Sequence, residues 1–171
     1  REFYDGRLKA YPSVVRHLLF PVDFPLAFID TAGCGFDEKW EGTSISNPEE
    51  ASFLLKYLTA FVNQLKPFYQ NNNFPGIAVI SPYKHQVEVL KGQVLSSPGL
   101  EETIKAISVN TIDSFQGQER DVVYISMTRS NVENTIGFLS DIRRMNVAMT
   151  RARKKLVVIG DSATLSQFPF Y

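Results

Sequence analysis

The chain has 171 residues, 44% of them hydrophobic and 21% charged, which suits one α/β domain with a full-sized core; 13 Phe and 7 Tyr argue against disorder. A formal net charge of +0 gives no bulk attraction for nucleic acid, and the single Cys34 excludes an internal disulfide or a cysteine-based zinc site. The lone cysteine also fits a reducing intracellular compartment, no apolar run approaches the ~20 residues of a membrane span, and the opening residues do not resemble a signal peptide.

Residues 1–25 are punctuated by Gly6, Pro12, Pro21 and Pro25 and read as a lead-in arm from a preceding domain. Leu26–Thr31 is a short apolar run suited to a buried strand, and residues 32–46, glycine-rich and without periodicity, read as a loop. Asn47 opens a helix as N-cap, with Pro48 at the first turn and Glu50 in position for a capping box. Phe53, Leu54, Tyr57, Leu58, Phe61 and Leu65 follow at helical spacing. Ile77–Ile80 is a second strand, Ser81–Pro82–Tyr83 a turn, and Val87, Leu90 and Val94 mark a helix ending near Ser96–Gly99. Ile104–Val109 and Val122–Met127 read as the third and fourth strands, Ile142–Met149 as a helix, and Leu156–Ile159 as the fifth strand. Asp161 or Ser162 then caps a last short helix. Short apolar strands alternating with helices predict an α/β fold, a parallel sheet flanked by helices on both faces. In such sheets ligands sit at the carboxyl ends of the strands, and every motif below is expected there.

Two segments carry chemistry. Val109–Asp121 leaves a strand and presents Asn110, Thr111, Asp113 and Ser114, then Gln116, Gly117 and Glu119. Short hydroxyls beside free backbone N–H groups suit phosphate, and Gln116 and Glu119 suit sugar hydroxyls; a polar turn between strands has the same composition. Asp141–Lys155 gathers Arg143, Arg144, Arg151, Arg153, Lys154 and Lys155 against the single acid Asp141. A guanidinium positioned there can stabilise charge in phosphoryl transfer, and a solvated basic helix end reads the same way. A third, weaker segment is Ile77–Gln86, where Tyr83 follows a strand and could stack on a base while Lys84 contacts phosphate.

Together SPYKHQ (81–86), the 109–131 segment around FQGQE and the 136–161 segment around TRAR resemble motifs IV, V and VI of superfamily-1 helicases, closest to the Upf1-like branch. Phe3–Gly6 with Leu8 and Gly42–Glu50 also resemble segments of that branch, so the likeness covers nearly the whole chain. It implies the second RecA-like domain, spanning 26–171, of an ATP-dependent helicase that tracks single-stranded DNA or RNA with 5′-to-3′ polarity. By the same resemblance Arg151 is the catalytic arginine finger. Gln116, Gly117 and Glu119 belong to the nucleotide cleft, and Ser81, Pro82, Tyr83, Thr111 and Ser114 line the strand track. Arg144 and Asn146 hold motif VI in shape.

The sequence contains no G-x-x-x-x-G-K-[ST] and no apolar run leading into an Asp-Glu box, so this RecA-like sheet lacks its own Walker A loop. ATP and Mg²⁺ are therefore expected to be held mainly by an upstream RecA-like domain, and the fragment alone is expected to be inactive. No membrane partner and no protein metal site are expected. The rival reading is a degenerate helicase-like module that binds nucleic acid without motor activity; a nuclease is disfavoured because the acids form no metal-binding cluster.

Overall fold

The computed structural model describes residues 18–70, 73–115 and 117–171. Chain order is β1 (Leu26–Asp30), β2 (Lys39–Glu41), β3 (Ser44–Ser46), α1 (Pro48–Leu65), β4 (Ile77–Ser81), α2 (Lys84–Leu95), β5 (Ile107–Thr111), β6 (Arg120–Ser126), α3 (Ile142–Met149), β7 (Ala152–Gly160) and α4 (Ser162–Leu165). Short 3₁₀ turns occupy Pro98–Ala106, Asp113–Phe115 and Gly137–Ser140.

Five strands form one sheet in the order β1-β7-β6-β4-β5, every neighbouring pair parallel. Alternation along the buried strands splits their side chains between two cores. Ile77, Val79, Val122, Tyr124, Val157 and Ile159 face α1 and α2, where Leu54, Leu58, Val62 and Leu90 are wholly buried. Ala78, Ile80, Val123 and Ile125 face the other side, under Met145 and Ala148 of α3 and Leu165 of α4. Each large aliphatic side chain removed from water contributes about 1.5–3 kcal/mol. The sequence reads as near-continuous apolar runs because both faces are covered. This is the α/β, RecA-like arrangement that the resemblance implied.

The structure corrects four readings of local structure. β1, at the edge of the sheet, is not the buried strand its composition suggested: Leu26 and Phe28 are exposed. Residues 32–46 are not all loop: β2 and β3 form a hairpin, with Glu41 opposite Ser44 across a two-residue turn. Gly42 takes φ +60 there, a conformation that glycine adopts without strain. All of β2 is exposed, so no apolar alternation announces it. The third strand starts later than expected, at Ile107, because the 3₁₀ turn begun at Pro98 runs to Ala106. At Asn47 only half of the capping box forms. Its side chain accepts from Glu50 N at 2.9 Å, but its own N–H donates to Gln86 Oε1 at 2.7 Å and the Glu50 carboxylate turns inward. The Phe3–Gly6 resemblance and most of the lead-in arm lie outside the described residues.

β6 and β7 do not stay in step. Arg120 pairs with Ala152 but Val122 pairs with Lys155, so Arg153 and Lys154 together stand opposite Asp121. This is a bulge, one extra residue in β7.

Candidate nucleotide and nucleic-acid site

The expectation that every motif gathers at the carboxyl ends of the strands fails. Arg120 opens β6 and Ala152 opens β7, so the residues just before them, Gly117, Glu119 and Arg151, lie at the amino edge of the sheet. Ser81 and Thr111 end β4 and β5 at the carboxyl edge. The reason is connectivity. Residues 112–119 cross the sheet from the end of β5 to the start of β6, and α3 runs back about 12 Å over its eight residues before β7 begins.

At the amino edge, Arg120 N donates to Arg151 O at 3.1 Å, which fixes the backbone of both loops together. The Arg151 guanidinium makes two local hydrogen bonds, Nε to Val147 O at 3.1 Å and Nη2 to Thr150 Oγ1 at 3.3 Å. It forms no ion pair among the described residues, and its Nη1 has no partner there. Glu119 is exposed and accepts from Arg153 Nε at 2.9 Å. Gly117 takes φ +80 with nothing near the space a Cβ would fill, so a ligand can approach its backbone closely. Gln116 lies outside the described residues.

The six-residue basic cluster is not a continuous surface. Arg144 lies 3.3 Å from Asp113, Arg153 pairs with Glu119, and Lys154 lies 3.3 Å from Asp121. Lys155 is only 4% exposed and turns into the α1 side, pairing with Asp23 beneath the Phe61 ring. Four of the six cations are thus neutralised within the domain, leaving Arg143 and Arg151 without acidic partners among the described residues.

At the carboxyl edge, Thr111 Oγ1 donates to Ser114 Oγ at 2.8 Å and accepts from Ser114 N, so the two hydroxyls cap the 3₁₀ turn at 113–115 near the surface. Pro82 is partly exposed. Ser81 and Tyr83 are not surface groups. Ser81 Oγ is buried against Thr128 Oγ1 at 2.9 Å. Tyr83 is 3% exposed, and its hydroxyl meets Ile136 O, Arg129 Nη1 and Phe138 N at 3.2–3.3 Å. Burial pushes that hydroxyl's pKa up. Tyr83 therefore presents no free ring face for the stacking expected of it, because the 136–138 loop folds over it.

Behind these residues lies a polar network that the sequence does not announce. Glu50 Oε1 accepts from Ser126 Oγ and from Thr128 N at 3.0 Å, which holds Thr128 at φ +71, a strained value for a branched residue. Gln86 Nε2 donates to Ser126 Oγ at 2.9 Å, and Asn47 Nδ2 donates to Phe36 O and Thr128 O. Burial, opposed by the Ser126 and Thr128 hydrogen bonds, pushes the Glu50 carboxyl up to about 7. Beside it, Arg129 and Glu38 form a buried ion pair at 2.8 Å, and Ser130 N and Asn131 Nδ2 donate to the same carboxylate. Burial works against the Arg129 charge, but Glu38 and Tyr83 together outweigh it and its pKa is raised. Glu50 reads as a helix cap and Arg129 as a surface cation; only the small polar residues flanking them, Ser126, Thr128 and Ser130, hint at an interior role.

Among the described residues no group of three or more His, Cys, Asp or Glu is arranged to hold a metal ion. No helix there is long and apolar enough to cross a membrane. Along one edge the domain thus sets a guanidinium that has no acidic partner among the described residues, an exposed carboxylate and an open glycine, groups whose chemistry suits a phosphate and sugar hydroxyls.

A parallel α/β sheet carrying these paired edges is matched by a family model described as AAA domain over residues 1–163, and the chain belongs to that family in its Upf1-like, superfamily-1 helicase form. It is similar to DNA-binding protein SMUBP-2 of Mesocricetus auratus, 39% identical over 98% of the chain and 17% of that protein. It also resembles DNA polymerase alpha-associated DNA helicase A of Saccharomyces cerevisiae (33%, over 96% of the chain and 25% of the relative) and the regulator of nonsense transcripts 1 homolog of Arabidopsis thaliana (34%, 99% and 14%). The chain thus spans between about a seventh and a quarter of the length of these relatives.

Proposed function

We infer that this chain is the C-terminal motor domain of an ATP-dependent helicase. It supplies Arg151 as the arginine finger, half of the ATP cleft and half of a single-strand track, with 5′-to-3′ movement. The observation that carries the reading is the amino edge, where one backbone hydrogen bond between Arg120 and Arg151 couples the loop of Glu119 to a guanidinium with only local hydrogen bonds and no acidic partner among the described residues.

ATP with Mg²⁺, held mainly by an upstream RecA-like domain of the same chain, supplies the phosphoryl group whose transfer to water drives the motor. Within this chain, Glu119 accepts hydrogen bonds from the ribose hydroxyls once Arg153 swings aside, an exposed pair that costs little to open. Gln116 and Gly117 border the same nucleotide. Arg151 donates to the γ-phosphate oxygens and balances the charge that develops there. Thr111 and Ser114 offer hydroxyls to the strand's phosphates, with Pro82 beside them, whereas Ser81 and Tyr83 act by holding the loops that carry those contacts. Backbone contacts of this kind bring no base preference.

Arg151→Ala in the full-length enzyme should lower ATP turnover about 10³-fold or more while this domain keeps its circular dichroism and unfolding midpoint. Normal turnover in that variant removes the finger. The 171-residue chain alone should hydrolyse no ATP; turnover by it that Arg151→Ala abolishes would overturn the half-site.

A further inference from the structure

A groove of about 450 Å³ opens over Tyr83 on the carboxyl edge, and the proposed function leaves it without an occupant. Tyr83 and Arg129 line it, with Trp40 and Thr43 of the hairpin on one side and Phe138 on the other. The Tyr83 hydroxyl has three partners and its ring packs 5.6 Å from that of Phe138, so this part of the lining is rigid. Gly137 permits the closure: at φ +53, a Cβ there would sit 2.3 Å from Arg129 Nη1 and 2.7 Å from the Tyr83 hydroxyl.

Two large aromatics flank this groove exposed, Trp40 at 68% and Phe138 at 55%. The strand that carries Trp40 is anchored on both sides of it. Lys39 pairs with Glu49 of α1 at 2.9 Å and Glu41 with His85 of α2 at 2.8 Å, while the indole itself stays in water. A solvated indole on an anchored strand beside an aromatic-lined groove is an arrangement for a flat partner. The groove is lined by residues that follow β4 and β6, one and two strand spacings, or about 5–10 Å, from the end of β5 with Thr111 and Ser114. Consecutive nucleotides of one strand cover that span. Lys84, exposed and without an ion pair among the described residues, stands next to Tyr83 where a phosphate would pass.

We propose that Trp40 and Phe138 form a stacking platform for one nucleobase of the single strand. The proposal rests on the nucleic-acid reading above and adds a base contact to a track otherwise made of backbone contacts. Stacking on aromatic faces is tolerant of base identity, so the platform holds any sequence.

Trp40 is the only tryptophan, so the intrinsic tryptophan emission of the chain reports this site alone. Oligothymidylate and an abasic strand of equal length are titrated against that emission, with anisotropy of labelled strands as an independent measure of binding. Oligothymidylate should quench the emission over the concentrations that raise the anisotropy, and the abasic strand should bind without quenching. Trp40→Ala and Phe138→Ala should each weaken oligothymidylate binding about five-fold or more, and more than they weaken abasic binding. Binding with unchanged emission, or equal quenching by the abasic strand, overturns the platform and leaves the nucleic-acid reading intact. No binding of either strand by anisotropy overturns both.

Discussion

The two edges of the sheet are built on opposite terms. At the carboxyl edge, Glu50 Oε1, Ser126, Thr128, Ser81, Asn47 and Gln86 bond one another in the interior, leaving Glu50 Oε2 without a partner among the described residues, and Arg129 is closed off by Glu38 and Tyr83. At the amino edge, Arg151 and Glu119 rest on a few local, solvent-facing contacts. About 20 Å of strand separates them. The first edge is bonded largely within this domain; the second keeps its polar groups near solvent. Buried, interlocked polarity thus marks scaffold here, and the proposed function assigns the chemistry to the more exposed edge.

Substitutions can break that contrast. The largest expected effect on stability is Arg129→Ala, which leaves the buried Glu38 carboxylate without its countercharge. About 3–5 kcal/mol should be lost in denaturant unfolding, and a loss below 1 kcal/mol would mean that the carboxyl edge is no scaffold. Next comes pH. The folded Glu50 carboxyl titrates near 7 against 4.5 when unconstrained, so it holds its proton to higher pH than the unfolded chain does. Stability should therefore fall as pH rises from about 4.5 to about 7 and level off above, a total of roughly 3 kcal/mol. Glu50→Gln should flatten that slope; an unchanged slope in the variant assigns the pH dependence elsewhere. The smallest effect belongs to the amino edge: Arg153→Ala should change stability by less than about 1 kcal/mol, since both members of its pair are exposed. A loss comparable to that of Arg129→Ala would erase the distinction between the edges.

Much of this was legible beforehand, for identifiable reasons. The buried strand from Ile77 follows from an unbroken apolar run, the helix Ile142–Met149 from apolar residues spaced among polar ones, and Asp161 caps α4 as its sequence position suggests. The hairpin that carries Trp40 was not legible, because β2 is wholly exposed and the three residues of β3 bury one apolar side chain, Ile45, too few to set a period. Nor was the fate of Lys155, which looks like one more cation in a run until the bulge in β7 turns it inward. Glu50 satisfied a local rule, the helix cap, while its carboxylate served a tertiary network formed by residues more than seventy positions away. The edge assignment failed because parallel sheets with long crossovers expose both ends of their strands, and a motif's place in the sequence does not say which end it reaches.

The bulge between Arg120 and Val122 has one more consequence. It lets the ladder that aligns Val122 to Ser126 with β7 keep its own count while the stretch before it keeps another. Each residue of strand advances the chain by about 3.3 Å. The extra residue at Arg153–Lys154 is taken up there, so Arg120 still pairs with Ala152 and Arg120 N still reaches Arg151 O while the pairs beyond keep their register. The bulge is slack between two clamps: a change of one residue at that point is absorbed before it reaches either the amino edge or the core.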